Sequence, residues 1–82
     1  MWKYFLILLL ILTHFTGFGQ ENRLALQYYR NGDYEKAAAL YQQLFSQNET
    51  NDYYLERYID CLFLLEDFGE AEKVLKRELR KN

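Results

Sequence analysis

No proline interrupts this 82-residue chain, and of its four glycines two lie within the first 19 residues. A chain so poor in helix breakers is free to be helical over most of its length. A single cysteine, Cys61, excludes an intrachain disulfide, so packing alone must hold the fold. One histidine, His14, leaves little scope for imidazole acid–base work or a histidine-rich metal site. Basic residues are not in excess: ten Lys and Arg stand against twelve Asp and Glu, a formal charge of −2. Nucleic-acid binding needs several Lys and Arg on one surface. This balance, without a contiguous basic face, argues against nucleic acid and against adhesion to anionic membranes.

What is present begins with a segment of three parts. Lys3 is a positive start, Phe5 to Leu12 is an eight-residue apolar run, and Gly17-Phe18-Gly19 puts small residues at alternate positions before Gln20. That is the pattern of a secretory signal over 1–19, with cleavage expected after Gly19. It implies export through the Sec pathway to a periplasmic or secreted location, and no membrane insertion after cleavage. An uncleaved membrane anchor is the minor alternative, since a spanning helix needs roughly 20 mostly apolar residues. Here the run is shorter and Thr13, His14 and Thr16 break it up, while no Cys follows it to carry a lipid. Residues 20–82 keep nine of the ten basic residues and all twelve acids, a formal charge of −3. A chain of about 60 residues buries a modest fraction of its surface and is marginally stable. More chain or a partner is the expected remedy.

Within 20–82 the apolar residues recur at helical spacing. Leu24, Ala25, Tyr28 and Tyr29 form one helix face; Asn31-Gly32 stops it, because glycine readily adopts the left-handed conformation that closes a helix. Asp33 is placed to cap a second helix bearing Tyr34, Ala37, Ala38, Tyr41, Leu44 and Phe45. The polar connector Ser46 to Asp52 follows, with Asn51 or Asp52 suited to cap a third helix bearing Leu55, Tyr58, Ile59, Leu62 and Phe63. Asp67 with Glu70 three residues on resembles a capping box and opens a fourth helix bearing Phe68, Ala71, Val74, Leu75 and Leu79.

These helices repeat. Asp33, Tyr34 and Ala37 each stand 34 residues before Asp67, Phe68 and Ala71, and a fixed period in this range signals stacked supersecondary units. The expectation is an all-α fold of two helix–turn–helix hairpins, about 20–51 and 52–82.

At this period the hairpins resemble tetratricopeptide repeats, whose unit is a helix–turn–helix of 34 residues. Ala37 and Ala71 match the family's small position, Tyr34 and Phe68 its aromatic, Tyr28 and Leu62 the large residue late in the first helix, and Tyr41 and Leu75 the large residue in the second. Ala25 suits the small position of the first helix, whereas Ile59 in the second unit should push its helices apart. Leu44 and Glu78 stand where Ala is usual, and Glu49 where a proline often ends a unit. The register also leaves Val74, Leu75 and Leu79 facing an absent third unit. The chain is therefore expected to be the N-terminal part of a longer repeat protein, or to dock its last hairpin on a partner.

Catalytic groups are sparse. His14 leaves with the signal; Ser46 stands alone in the connector; Cys61 has no histidine to lower its pKa and reads as a small half-buried residue. Asp60, Glu66, Asp67, Glu70 and Glu72 read as a solvated surface and a cap, and the isolated Gly32 and Gly69 make no phosphate-cradling loop. Asn48-Glu49-Thr50 fits a glycan acceptor but reads as a polar loop in a bacterial host. The basic cluster Lys73, Lys76, Arg77, Arg80 and Lys81 complements the end of a helix dipole. No enzyme, cofactor or metal is expected.

The resemblance implies a groove lined by the first helix of each unit. Its contact positions fall on Asn22, Leu26, Tyr29 and Arg30, then on Tyr53, Glu56, Asp60, Phe63 and Leu64, although Tyr29 and Phe63 also suit a core. The donors by which some members clamp a peptide C-terminal carboxylate are replaced by Leu26, Glu56 and Asp60. The implied function is a scaffold that binds a protein or peptide in this groove. An accessory repeat region of a larger exported enzyme or sensor is the alternative, and self-association through the exposed last hairpin is a further class of partner.

Overall fold

A computed structural model of the chain describes residues 2–6 and 17–81. Residues 2–6 are helical and exposed. Most of the expected signal, including Ile7 to Leu12, Thr13, His14 and Thr16, lies outside the described residues, as does Asn82. Four longer helices follow: α1 (Gly17–Arg30), α2 (Tyr34–Gln47), α3 (Asp52–Leu64) and α4 (Phe68–Arg80). No strand occurs among the described residues. Each helix packs on the next, α1 on α2, α2 on α3 and α3 on α4, as two antiparallel hairpins stacked side by side.

Both hairpins turn by the same device. Gly32 N–H donates to the Tyr29 carbonyl at 3.2 Å and Asp33 N–H to the Tyr28 carbonyl at 2.8 Å. In the second unit Glu66 N–H donates to Phe63 at 3.0 Å and Asp67 N–H to Leu62 at 2.8 Å. This paired closure satisfies the last carbonyls of a helix and requires a left-handed residue after it. Gly32 supplies that residue at φ 79° and Glu66 at φ 60°.

The caps depart from the sequence expectation in two places. Asp33 occupies the position before α2 but its carboxylate makes no capping bond; it pairs with Lys36 at 3.6 Å instead. Asp67 Oδ1 accepts from Glu70 N–H at 3.4 Å, yet the return half of a capping box is not formed. The Asp67 N–H that Glu70 would reach is already spent on Leu62, so the turn closure displaces it. Asn51 caps α3 as expected, accepting from Tyr53 N–H at 3.0 Å. Asn48 Oδ1 is held by the Thr50 hydroxyl at 3.0 Å.

The core runs between the helices through Ala25, Ala37, Ala38, Tyr41, Leu44, Phe45, Tyr54, Tyr58, Cys61, Leu62, Ala71 and Val74. Val74 is a correction: it packs inside its own hairpin rather than facing outward, while Leu75 and Leu79 stay 39% and 71% exposed. Leu24 is exposed instead of buried, because the face of α1 that meets α2 is centred on Ala25 and extends to Tyr28 and Tyr29. Cys61 is fully buried rather than half-buried, since it lies on the face of α3 covered by α2. Close backbone approach is also sparser between α3 and α4 than between α1 and α2. That agrees with the branched Ile59 standing where the first unit has the methyl of Ala25.

Candidate functional site

Of the nine expected groove residues, α1 carries Asn22, Leu26, Tyr29 and Arg30, and α3 carries Tyr53, Glu56, Asp60, Phe63 and Leu64. Tyr29 and Tyr53 come together through a residue not among them. The Arg57 guanidinium lies 4.6 Å from the centre of the Tyr29 ring and 5.3 Å from that of Tyr53. A cation over an aromatic face is attracted by the ring quadrupole, by about 0.5–2 kcal/mol depending on desolvation. Arg57 therefore ties the first hairpin to the second on the side that Tyr29 and Tyr53 share. Asp60 joins it, with Oδ2 at 3.9 Å from Arg57 Nη1.

A stack of rings supports this cluster from beneath. The Tyr29 ring meets Tyr34 edge-on at 5.8 Å, and Tyr53 meets Tyr41 at 6.2 Å and Tyr54 at 5.9 Å. Phe63 stands apart, about ten residues along α3 and so roughly 15 Å away at helical rise. It pairs with Phe68 at 5.6 Å and is 49% exposed, so it is a surface residue of the second turn rather than core. Tyr29 is half-buried against the core and also faces Arg57. Leu26 and Arg30 line a shallow hollow of about 260 Å³ with Arg23, Gln27 and Asn31. Glu56 and Leu64 are exposed on α3, and Asn22 is half-exposed on α1.

Electrostatics concentrate at the same place. Desolvation raises the pKa of the Tyr53 phenol, but Arg57, the neighbouring Tyr41 and then the field of Arg30 outweigh it, so the net shift is downward. Arg57 is pushed up, chiefly by the Tyr53 hydroxyl beside it. Tyr41 is pushed well up by burial, with Tyr53 adding to it. Its hydroxyl is sealed from solvent without a partner in hydrogen-bond geometry. Among the described residues the Arg57 N–H groups likewise make no hydrogen bond of standard geometry; Asp60 stands 3.9 Å away and the Tyr53 hydroxyl lies beside them.

Arg57 escaped the sequence reading because charge on a helix reads as solvated surface. A signal existed in its spacing, four residues after Tyr53 and three before Asp60, which puts all three on one face of α3. The cluster offers stacking surface and forked donors. Burial pushes the Cys61 thiol up to about 11, so it stays protonated at neutral pH and is no nucleophile there.

A second hollow, of about 300 Å³, lies between α2 and α4 and includes Gln42, Ser46, Glu49, Arg77 and Lys81. Lys81 spans it to Glu49 at 3.7 Å. Among the described residues no three His, Cys, Asp or Glu side chains converge as a metal site. No helix there is long and apolar enough to cross a membrane.

With this geometry in place, comparison with known proteins gives one match. The family model described as tetratricopeptide repeat covers residues 28–81, more than half of the chain. No curated protein and no solved structure matches it.

Proposed function

This chain belongs to the tetratricopeptide repeat family, whose repeats generally mediate protein–protein interaction, and on that premise we propose that it is a non-enzymatic scaffold binding a protein or peptide segment across its two hairpins. The observation that carries the reading is the Tyr29–Arg57–Tyr53 cluster. It joins both hairpins, presents partly exposed aromatic surface, and consists of the residue types that dominate binding hot spots. No acid–base pair accompanies it. Binding rather than turnover is what such a surface supports.

The test is a photoreactive amino acid placed at Tyr53 in the native host, with a matched control at the exposed Lys73. Tyr53 should capture a discrete protein adduct that the control does not. The same adducts at both positions, or none at Tyr53, would sink the proposal.

Two further readings belong with it. The pattern of residues 1–19 supports export and removal of that segment; mass spectrometry of the exported product should then begin at Gln20, and a retained Met1 would defeat this reading. The exposed Phe68, Leu75 and Leu79 on α4 support self-association as a secondary property. Sedimentation of the full chain should show a mass that rises with concentration, and a constant monomer mass would exclude it.

A further inference from the structure

We infer that the Arg57 cluster receives an acidic side chain, Asp or Glu, projecting from the middle of the bound segment. The inference rests on the scaffold reading and adds to it the chemistry that the site selects.

The Arg57 guanidinium carbon lies 4.6 Å from the centre of the Tyr29 ring and 5.3 Å from that of Tyr53, and among the described residues its forked N–H donors make no hydrogen bond of standard geometry. A planar bidentate acceptor fits such a fork, and a carboxylate is one. The rings also hold the side chain in place, so little rotamer freedom remains to be lost on binding. The present acceptor is a poor competitor: Asp60 reaches only one nitrogen, at 3.9 Å, and its side chain is 55% exposed. Exposed pairs of this kind contribute little and exchange readily. The fields of Arg57 on α3 and, more weakly, Arg30 on α1 both favour the ionised form of the Tyr53 phenol.

The surrounding acids set the form of the ligand. Glu56 and Asp60 lie on the same helix, so a doubly charged phosphate meets more repulsion than a singly charged carboxylate. A chain terminus would bring its carboxylate on a short backbone tether close to those acids. An internal Glu or Asp reaches the guanidinium on its own stem and keeps the backbone clear.

The probes are pools of random peptides blocked at both ends, with a central residue fixed as Glu in one, Gln in the second and Lys in the third. Binding to the full chain is followed by fluorescence anisotropy and by the Nε–H resonance of Arg57. The Glu pool should bind about tenfold more tightly than the Gln pool and shift the Arg57 resonance. That gap should narrow with added salt, close in Arg57→Gln and shrink in Arg57→Lys, which keeps the charge but not the fork. Asp60→Asn should widen it by removing the competing acceptor. Equal binding of the Glu and Gln pools would overturn the acid selectivity while leaving the scaffold reading intact. A gap that survives Arg57→Gln would remove Arg57 from the site. Failure of every pool to bind, in a chain whose circular dichroism is unchanged, would overturn both readings together.

Discussion

At φ 60°, Glu66 holds a backbone conformation that costs a residue with a Cβ about 1–2 kcal/mol. Its counterpart in the first hairpin, Gly32, adopts the same conformation freely, and the two close their helices with matching hydrogen bonds. Glu66→Gly should therefore raise stability by about 0.5–1 kcal/mol, the strain relieved less the added freedom of the unfolded chain. Urea denaturation measures it, and a loss of stability would mean that the Glu66 side chain has an undetected role. Tyr41 carries the opposite kind of cost. Its ring is fully buried among Tyr53 and Tyr54, but its hydroxyl has no partner in hydrogen-bond geometry. A buried, unsatisfied hydroxyl costs about 1–3 kcal/mol. Tyr41→Phe should leave the melting temperature unchanged or higher, and a fall of several degrees would show that the hydroxyl is bonded in solution.

Helices α2 and α4 are the same element in two environments. Tyr34, Tyr41 and Phe45 on α2 stand 34 residues before Phe68, Leu75 and Leu79 on α4, and each set forms one narrow stripe at helical spacing. On α2 the stripe is covered by α3, so Tyr41 and Phe45 are buried; on α4 no described helix covers it, and Leu75 and Leu79 remain open. Equivalent positions should then differ widely in energetic weight. Phe45→Ala should cost about 3–5 kcal/mol through lost burial and a cavity. Leu79→Ala should fall within about 0.5 kcal/mol, as surface changes do. Comparable losses at both positions in urea denaturation would mean that the stripe on α4 is covered in solution.

Across the whole molecule, stability follows the number of helices packed on each helix. Inner helices α2 and α3 touch a helix on both sides, whereas α4 is packed on one side only and approaches α3 less closely than α1 approaches α2. In a stack whose units contact only their neighbours, opening begins where neighbours are missing. Amide exchange should be slowest in α2 and α3 and fastest in α4. Uniform protection across the four helices would indicate a single cooperative unit instead. The Arg57 clasp between the hairpins opposes such separation, since it is the contact by which α3 holds an aromatic ring of α1.

The residues themselves determined the period, the four helices, the two turns and the alternation of small and large positions. Those features depend on interactions within a few residues or on a register that can be counted. The family pattern also singled out Tyr29 and Tyr53 as expected groove positions, without Arg57 between them. Tertiary structure alone decided that Val74 is buried while Leu79 is exposed, and that Arg57 lies between rings from two hairpins rather than in water. Helical spacing states which side chains share a face, but burial requires a second helix to cover that face. A guanidinium likewise becomes part of a site only where packing brings a distant ring beneath it.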